Sequence, residues 1–283
     1  MAAKRTIVAI DCHAHVMVRN APLARERHSA PLRDVTVDEY ASVLDAHGIS
    51  HGVLTAPSFY GTDNSLLLSA LDAHPDRLRG TVIIEPDVDR ETLAHMDRRG
   101  VVGIRLNWVR RERLPELSSY GRLFTELRRL GWHVEIYLEG RKLASVLPQL
   151  RDSGVTVVVD HFGAPDAARG VACEGFQQVL HGAASGDTFV KLSAAYRLGG
   201  VNAQPYVDAL LAAGGPRQLV WASDWPFVSF EDRVDYARTF SDFVRWIPDG
   251  AIRRQVLVDT PARLFRFDTK AQSTSPTKNE GRR

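Results

Sequence analysis

Two histidines separated by a single residue, His13 and His15, follow a short apolar run, residues 7–10, near the start of the chain. Successive apolar residues rich in β-branched types predict a short buried strand rather than a turn of helix. Side chains two positions apart in a strand point the same way, so both imidazoles, and Asp11 with them, are predicted to face one side. Two such imidazoles can hold a metal or polarise an oxygen atom. One His that caps the strand and another that lies on the surface would have the same spacing. The pair alone therefore does not distinguish a functional site from this structural alternative, and the other strand ends are needed.

Strand-like and helix-like segments alternate along the chain, and this order predicts what positions the histidines. The predicted strands cover residues 7–10, 52–55, 80–84, 101–106, 133–138, 155–159, 188–192 and 218–222. The helical patterns that follow them cover residues 36–47, 63–71, 89–96, 117–130, 141–150, 174–180, 205–211 and 231–246. Each strand is apolar enough to be covered on both faces. Eight such units favour an α/β fold, a single-domain (β/α)8 TIM barrel over residues 1–267. A doubly wound open sheet is the alternative, but no Gly-rich phosphate loop follows the first strand.

Local signals fix some of the element ends. Thr36 and Glu39 form a capping box, and Gly48 is placed to end the helix that they begin. An extra helix near residues 249–258 is expected to close the bottom or the side of the barrel. Residues 268–283 are polar and aperiodic, which predicts a disordered C-terminal tail.

Polar and charged residues collect where the predicted strands end. The active sites of barrels lie at the carboxyl ends of the strands, so these residues are expected to form one ring. The first strand supplies Asp11, His13 and His15, the fourth Arg105 and Asn107 with Arg110 and Arg111 beyond, the fifth Tyr137 and Glu139, the sixth Asp160 and His161, the seventh Ser193, Tyr196 and Arg197, and the eighth Ser223 and Asp224. Strand ends are often polar because they meet water. Three imidazoles, a carboxylate on the last strand and several guanidiniums together nevertheless indicate a site.

The residue types in this ring suggest its chemistry. Asp224 is placed to take a proton from water as a general base. The three imidazoles of His13, His15 and His161 could polarise a carbonyl group, either directly or through a metal. The guanidiniums are suited to holding carboxylates in bidentate fashion, and they belong to Arg105, Arg111 and Arg197. So much positive charge favours a small anionic substrate that carries carboxylates.

Composition excludes several other classes of protein. The chain has 283 residues, 44% of them hydrophobic and 25% charged, which is typical of a soluble globular protein. It contains no apolar stretch that approaches the roughly 18 residues of a membrane span. Two cysteines, Cys12 and Cys173, give no disulfide framework, and the first strand begins too early for a secretory leader, so a cytoplasmic location is expected. A net charge of +2 gives no indication of nucleic-acid binding, and the basic run 110–113 lacks the interleaved aromatic residues.

Five segments together resemble the amidohydrolase superfamily. They are Asp11-Cys12-His13-Ala14-His15, Gly103-Ile104-Arg105-Leu106-Asn107, Val159-Asp160-His161-Phe162-Gly163, Trp221-Ala222-Ser223-Asp224-Trp225-Pro226 and Thr260-Pro261-Ala262-Arg263-Leu264-Phe265. Within that superfamily they are similar to the branch around 2-pyrone-4,6-dicarboxylate lactonase, of which the segment 61–64 is a further mark. The similarity runs from the first strand to about Phe267.

The resemblance implies a lactonase that needs no metal. Binuclear amidohydrolases use a bridging Lys on strand four and a His on strand five, where this chain has Arg105 and Tyr137; His133 begins strand five, at the wrong end of the barrel. In the lactonase branch, residues that match His13, His15 and His161 surround the lactone carbonyl, and one that matches Asp224 activates water. Residues that match Arg105, Arg111, Tyr137 and Arg197 hold the substrate carboxylates, and Asn107 is expected beside them. Phe59-Tyr60 stands where that branch has a more polar pair.

The sequence thus predicts a hydrolase that opens a carboxylated lactone, for which 2-pyrone-4,6-dicarboxylate is the named candidate and sugar-acid lactones and muconolactones are neighbours. No cofactor is expected. The first alternative is a metal-dependent amidohydrolase or decarboxylase that binds one divalent metal such as zinc through His13, His15, His161 and Asp224. The second is a non-catalytic barrel that binds an anion or a partner protein.

Overall fold

Eight parallel strands form one sheet in the computed structural model, which describes residues 5–25 and 27–267. Neighbouring strands of the sheet follow one another in the chain, from the first to the eighth. The strands are β1 (Ile10–Ala14), β2 (His51–Thr55), β3 (Leu78–Val82), β4 (Val101–Asn107), β5 (His133–Tyr137), β6 (Thr156–Val159), β7 (Thr188–Leu192) and β8 (Leu219–Trp221). The prediction of a (β/α)8 barrel is confirmed.

Helices connect the strands and cover the outside of the sheet. They are α1 (Val37–Ala46), α2 (Ser65–Ala73), α3 (Arg90–Arg98), α4 (Gly121–Leu130), α5 (Gly140–Asp152), α6 (Glu174–Ser185), α7 (Gln204–Gly214), α8 (Tyr236–Trp246), α9 (Gly250–Arg254) and α10 (Thr260–Leu264). A π-helical segment, Gln255–Asp259, joins α9 to α10 where the extra helix is predicted. The Thr36 side chain accepts a hydrogen bond from the Glu39 backbone N–H, as the capping box predicts.

Hydrogen bonds between β1 and the segment after β8 close the barrel. The backbone N–H of Asp224 donates to the carbonyl of His13 (3.0 Å), and that of His15 donates to the carbonyl of Trp225 (2.9 Å). The carboxylate of Asp11 adds two bonds across the same seam, from the backbone N–H of Ser223 (2.8 Å) and from its hydroxyl (2.6 Å). The closure therefore places Asp224 directly beside the two histidines of β1.

A β-bulge in β1 decides which of its side chains face the barrel interior. Asp11 pairs with Gly52 and Ala14 with Leu54, so β1 has one residue more than β2 over this stretch. Cys12 packs in the inner apolar cluster with Val53, whereas His13 contacts charged groups of the interior. The prediction that Asp11 faces the same way as the histidines is wrong, because the bulge interrupts the strict alternation. The Asp11 carboxylate accepts from Ser223 and Tyr236 instead.

Side chains of the strands separate into two apolar layers. The outer layer packs under the helices, and an inner layer fills the amino-terminal half of the barrel. The inner layer includes Ile10, Val53, Val102, Val158, Val220 and Phe265. His133 lies fully buried beside Phe265 in this half, away from the other imidazoles, as its position at the start of β5 predicts.

Several element ends differ from the sequence prediction, among them the first strand, which spans Ile10–Ala14 rather than residues 7–10. Side-chain hydrogen bonds explain three of the differences. β3 ends at Val82 rather than at residue 84, because the Asn64 amide bonds both the N–H and the carbonyl of Ile83. The second helix begins at Ser65 rather than at residue 63, since the Asp63 carboxylate accepts from the Ser65 N–H. The eighth begins at Tyr236 rather than at residue 231, since Asp235 caps it. The predicted tail, residues 268–283, lies outside the described residues.

None of the helices within residues 5–25 and 27–267 has the length and apolar character needed to cross a membrane.

The contact between α5 and α6 requires a glycine. A Cβ atom on Gly175 would lie 1.7 Å from the carbonyl oxygen of Gly140. We expect Gly175→Ala to lower the free energy of unfolding by about 1–3 kcal/mol or more, because the two backbones would have to separate. Thermal and urea denaturation measure the loss. Gly121→Ala is the matched control: Gly121 has φ −55° at the start of α4, and a Cβ there would meet no atom within 4 Å. Equal stability of the two variants would contradict the close approach.

Candidate active site

A cavity of about 110 Å³ lies at the carboxyl ends of the strands. Eight of the residues predicted from the strand ends line it: His15, Arg105, Asn107, Arg110, Tyr137, His161, Arg197 and Asp224. His13 lies below them, fully buried, with its Nε2 3.3 Å from Nε2 of His15. The structure thus brings the three imidazoles and the carboxylate of strand eight together.

The two carboxylate oxygens of Asp224 have different surroundings. Oδ2 accepts hydrogen bonds from the Tyr196 hydroxyl (2.6 Å) and from Nε of Arg197 (2.9 Å). Oδ1 faces Nε2 of His13 at 3.6 Å. It also faces the Nε2 atoms of His15 and His161, each at 3.8 Å. One oxygen is therefore anchored, and the other is turned toward the imidazoles.

Burial and positive charge act in opposite directions on Asp224. Burial alone would raise the pKa of its carboxyl group, but Arg197 and the three imidazoles outweigh it and hold the pKa well below its usual range. Burial, with the Asp224 charge in support, raises the pKa of the Tyr196 hydroxyl well above its ordinary value. Asp224 is therefore a carboxylate at neutral pH, and the hydroxyl of Tyr196 keeps its proton and donates a hydrogen bond to it.

The imidazoles at the cavity are neutral. Burial, assisted by Arg105, lowers the pKa of His15 to about 4 although Asp224 opposes the shift. Burial also lowers the pKa of His161 to about 4. Nδ1 of His15 lies 2.7 Å from the carbonyl oxygen of Thr55, which can only accept a hydrogen bond, so this nitrogen carries the proton. His15 therefore turns an unprotonated Nε2 toward His13 and Asp224.

The remaining ring contacts orient His161. Its Nδ1 lies 2.8 Å from the hydroxyl of Ser193, and its ring packs edge-on against Tyr137 with the centroids 4.9 Å apart. Ser193 and Tyr137 thus fix the plane of the imidazole and leave Nε2 facing Asp224.

Beneath the histidines lies a network of buried charges that the sequence analysis did not predict. The ammonium group of Lys191, on β7, contacts Oε2 of Glu135 on β5 (2.5 Å) and Oδ1 of Asp160 (3.1 Å). It also lies 3.0 Å from Nδ1 of His13. Burial raises the pKa of Glu135 to about 7. Burial would also raise the pKa of Asp160, but Lys191, His13 and Arg105 hold it well below the usual range.

A signal for this network was present in the sequence. Lys191 and Glu135 each interrupt an otherwise apolar predicted strand. Opposite charges inside two buried strands are an indication of an ion pair in the interior, since neither charge would be tolerated there alone.

The predicted carboxylate-binding arginines occupy three different environments. Arg105 is buried, and it donates to Oδ2 of Asp160 through Nη2 (2.9 Å) and to the carbonyl of Ala56 through Nη1 (3.1 Å). Arg197 is engaged with Asp224 and the carbonyl of Val228. Arg111 is exposed, and it lines an adjoining groove of about 930 Å³ rather than the small cavity.

Other residues connect the groove to the cavity. Arg105, Asn107, Arg110 and His28 line both spaces, and His28 was not predicted. Glu139, predicted at the end of strand five, accepts from the backbone N–H of Arg110 (2.7 Å) and so holds the loop beyond β4.

Two groups of side chains in the described part of the chain have ligand atoms close enough to hold a metal. The first is His13, His161 and Asp224, and the second is His13, Glu135 and Asp160. The ammonium group of Lys191 already lies among the atoms of the second group. The first group, with His15 beside it, offers enough donors for a zinc site, provided that each imidazole turns a lone pair toward the ion. The same atoms are arranged to orient a water molecule and a carbonyl group.

Comparison with known proteins agrees with the fold and the motifs. Residues 10–267 match the family model described as Amidohydrolase. A 4-sulfomuconolactone hydrolase from Rhizobium radiobacter is 30% identical over 275 residues, which cover 91% of this chain and 89% of the relative. A 2-pyrone-4,6-dicarboxylate hydrolase from Comamonas testosteroni is 29% identical, with 91% and 90% covered.

A solved structure from Acinetobacter baumannii is also similar. It is described as a probable 2-pyrone-4,6-dicarboxylic acid hydrolase with citric acid bound. It superimposes with a TM-score of 0.87 at 32% identity, over 92% of this chain and 99% of the other. Since the family model covers most of the sequence, the chain belongs to the amidohydrolase family.

Proposed function

We propose that this protein is a hydrolase that opens a lactone bearing carboxylate groups, with 2-pyrone-4,6-dicarboxylate as the leading candidate substrate. The observation that carries the proposal is the asymmetry of Asp224. Its Oδ2 is held by Tyr196 and Arg197, while Oδ1 faces three imidazole nitrogens across 3.6–3.8 Å. A water molecule and a carbonyl oxygen are the groups that such a space suits.

The named relatives support the same class of substrate. The two curated relatives are named as hydrolases of cyclic esters that carry acidic groups. The similar solved structure holds citric acid, which is a small tricarboxylic acid. Both facts agree with a site in which arginines surround a cavity above a carboxylate base.

In the proposed reaction, Asp224 takes a proton from water through Oδ1. The oxygen of the water attacks the lactone carbonyl carbon and forms a tetrahedral intermediate. The Tyr196 and Arg197 bonds keep the carboxylate ionised and fix its direction. They also make it a weak base, so the carbonyl must be polarised strongly for the attack to proceed.

Imidazoles stabilise the negative charge that develops on the carbonyl oxygen. The oxygen lies on the floor of the cavity, within reach of Nε2 of His13 and of His161. His15 has no proton on Nε2, so it accepts a hydrogen bond from the water or from His13. When the intermediate collapses, the bond between the carbonyl carbon and the ring oxygen breaks. The ring oxygen takes up the proton that Asp224 took from the water, so the carboxylate is regenerated. The product is an open-chain acid with one more carboxyl group.

Arginines select the acidic substrate. Arg197 lines the cavity, and Arg110 and Arg111 line the groove at its mouth. Arg105 is placed to act less directly, because each of its three nitrogens already donates to Asp160 or to the carbonyl of Ala56. We propose that it contributes positive potential and supports Tyr137, whose ring centroid lies 5.8 Å from its guanidinium carbon.

The first prediction concerns the base. We expect Asp224→Asn to lower kcat by about 10²–10⁴-fold, because the amide cannot accept the proton of water. Substrate binding should remain measurable by calorimetry, since Asn preserves the shape of the side chain. Asp208→Asn, on the exposed side of α7, is the control for a generic loss of a carboxylate. Near-normal turnover by Asp224→Asn would contradict the assignment.

The second prediction concerns substrate charge. Arg111→Met is expected to raise KM for a dicarboxylated lactone by about fivefold, which corresponds to the loss of one exposed ion pair of roughly 1 kcal/mol. The corresponding monoester should be affected less, and kcat should change little. Arg122→Met, on the exposed face of α4, serves as the control. Equal effects on the diacid and the monoester would mean that Arg111 contacts no carboxylate.

The third prediction is that catalysis needs no metal. Arg197 beside Asp224, and the other guanidiniums at the same mouth, disfavour a divalent cation and favour an anionic lactone. The purified protein should contain less than stoichiometric zinc or manganese by mass spectrometry, and prolonged chelation should leave kcat unchanged. Loss of activity on chelation, with recovery after one of these metals is added back, would support the alternative of a metal-dependent amidohydrolase.

A further inference from the structure

Lys191 makes its hydrogen bonds inside the barrel, to Glu135 and to His13. The side chain is fully buried, and its Nζ lies near three acceptors: Oε2 of Glu135 (2.5 Å), Nδ1 of His13 (3.0 Å) and Oδ1 of Asp160 (3.1 Å). An ammonium group has three N–H bonds and no lone pair. Lys191 can therefore only donate to the imidazole of His13.

This contact determines where His13 carries its proton. A neutral imidazole has one N–H, and Nδ1 must offer its lone pair to Lys191. The proton is consequently on Nε2, the nitrogen that faces the cavity floor. Because an ammonium group cannot accept a hydrogen bond, Nδ1 carries no second proton. Burial and the charge of Lys191 act in the same direction, since both lower the pKa of His13.

A second, independent contact agrees with this assignment. Nε2 of His13 lies 3.3 Å from Nε2 of His15. One of these nitrogens must donate and the other accept. The Thr55 carbonyl keeps the proton of His15 on Nδ1, so the Nε2 of His15 is the acceptor and that of His13 is the donor.

Asp160 offers His13 the opposite arrangement. Its Oδ1 is 3.3 Å from Nδ1 of His13 and would accept a hydrogen bond from a protonated Nδ1 if Lys191 were absent. His13 would then turn a bare Nε2 toward His161 and Asp224. In that state the ligand atoms of these three side chains, which lie close enough together to hold a metal, would all offer lone pairs.

We propose that Lys191 is a positioning residue that keeps the proton of His13 on Nε2, so that this imidazole donates to the substrate carbonyl and cannot ligate a metal. The hydrogen bond from His13 to the substrate carbonyl rests on the proposed lactonase function. The position of the proton on His13 and the exclusion of a metal do not depend on that function. Lys191 acts through His13 and has no contact with the cavity itself.

The test uses two variants of the full chain. Lys191→Met/Glu135→Met removes one positive and one negative buried charge together, which proteins tolerate far better than the loss of one partner. Glu135→Met alone is the matched control, because it leaves the contact between Lys191 and His13 in place. Circular dichroism and thermal denaturation establish that both are folded.

Nitrogen-15 NMR of histidine-labelled protein reads the position of the proton directly, with the His13 signals identified by their loss in His13→Asn. In the native protein and in Glu135→Met, we expect an unprotonated Nδ1 and a protonated Nε2. In the double variant, we expect protonation of Nδ1. A protonated Nδ1 in the native protein would overturn the proposal even if the double variant does not fold, and so would an unchanged tautomer in a folded double variant.

Zinc affinity, measured by equilibrium dialysis with zinc alone, tests independently whether Lys191 keeps His13 from ligating a metal. The double variant should bind zinc about 10–100-fold more tightly than Glu135→Met, which is the size of effect that partners of metal ligands have. Equal affinity would contradict the proposal. If the native protein hydrolysed no carboxylated lactone but the tautomer and the zinc affinity changed as expected, the proposed function would fail and the role of Lys191 would stand.

Discussion

The hydrogen bonds that join the first strand to the end of the eighth are the interaction on which the rest of the site depends. They close the barrel, and they also place the backbone of Asp224 against that of His13. Asp11 reinforces the seam because its buried carboxylate accepts from Ser223 and from Tyr236 on α8. The geometry of Asp224 and the imidazoles is thus set by backbone pairing within the rigid sheet, which gives more precision than a flexible loop would.

Electrostatic compensation inside the barrel makes this arrangement possible. Lys191 and Arg105 are balanced by Glu135 and Asp160, and all four side chains lie within one connected network. Isolated charges would be too costly at this depth, whereas mutually bonded ones are tolerated. The network turns the interior above the apolar layer into a polar layer. The neutral imidazole of His13 packs directly on this polar layer, and its contacts with Lys191 and Asp160 fix the orientation of its ring.

Most of the fold and part of the site could be read from the sequence. The alternation of apolar strands with helical patterns was sufficient to predict the barrel. The rule that barrel sites lie at strand ends predicted that His15, His161 and Asp224 are neighbours, and the three residues line one cavity. Strict alternation failed for Asp11, since a bulge cannot be seen in residue types alone. Arg105 and Arg111 were grouped by residue type, yet Arg105 is buried and bonded to Asp160, and Arg111 is exposed in the groove. A position near a strand end does not tell how deeply a side chain is buried.

The bulge in β1 also bears on how such a barrel can change through evolution. An extra residue lets Cys12 face the inner apolar layer while His13, the next residue, faces the interior as well. β4 has a similar irregularity between Val101 and Gly103, ahead of Arg105. Without the extra residue, each strand could turn only one of the two adjacent side chains at its bulge toward the interior. Length changes within strands, and not only in loops, are therefore a route by which this architecture could gain or lose a chemistry while its hydrogen-bonded cylinder persists.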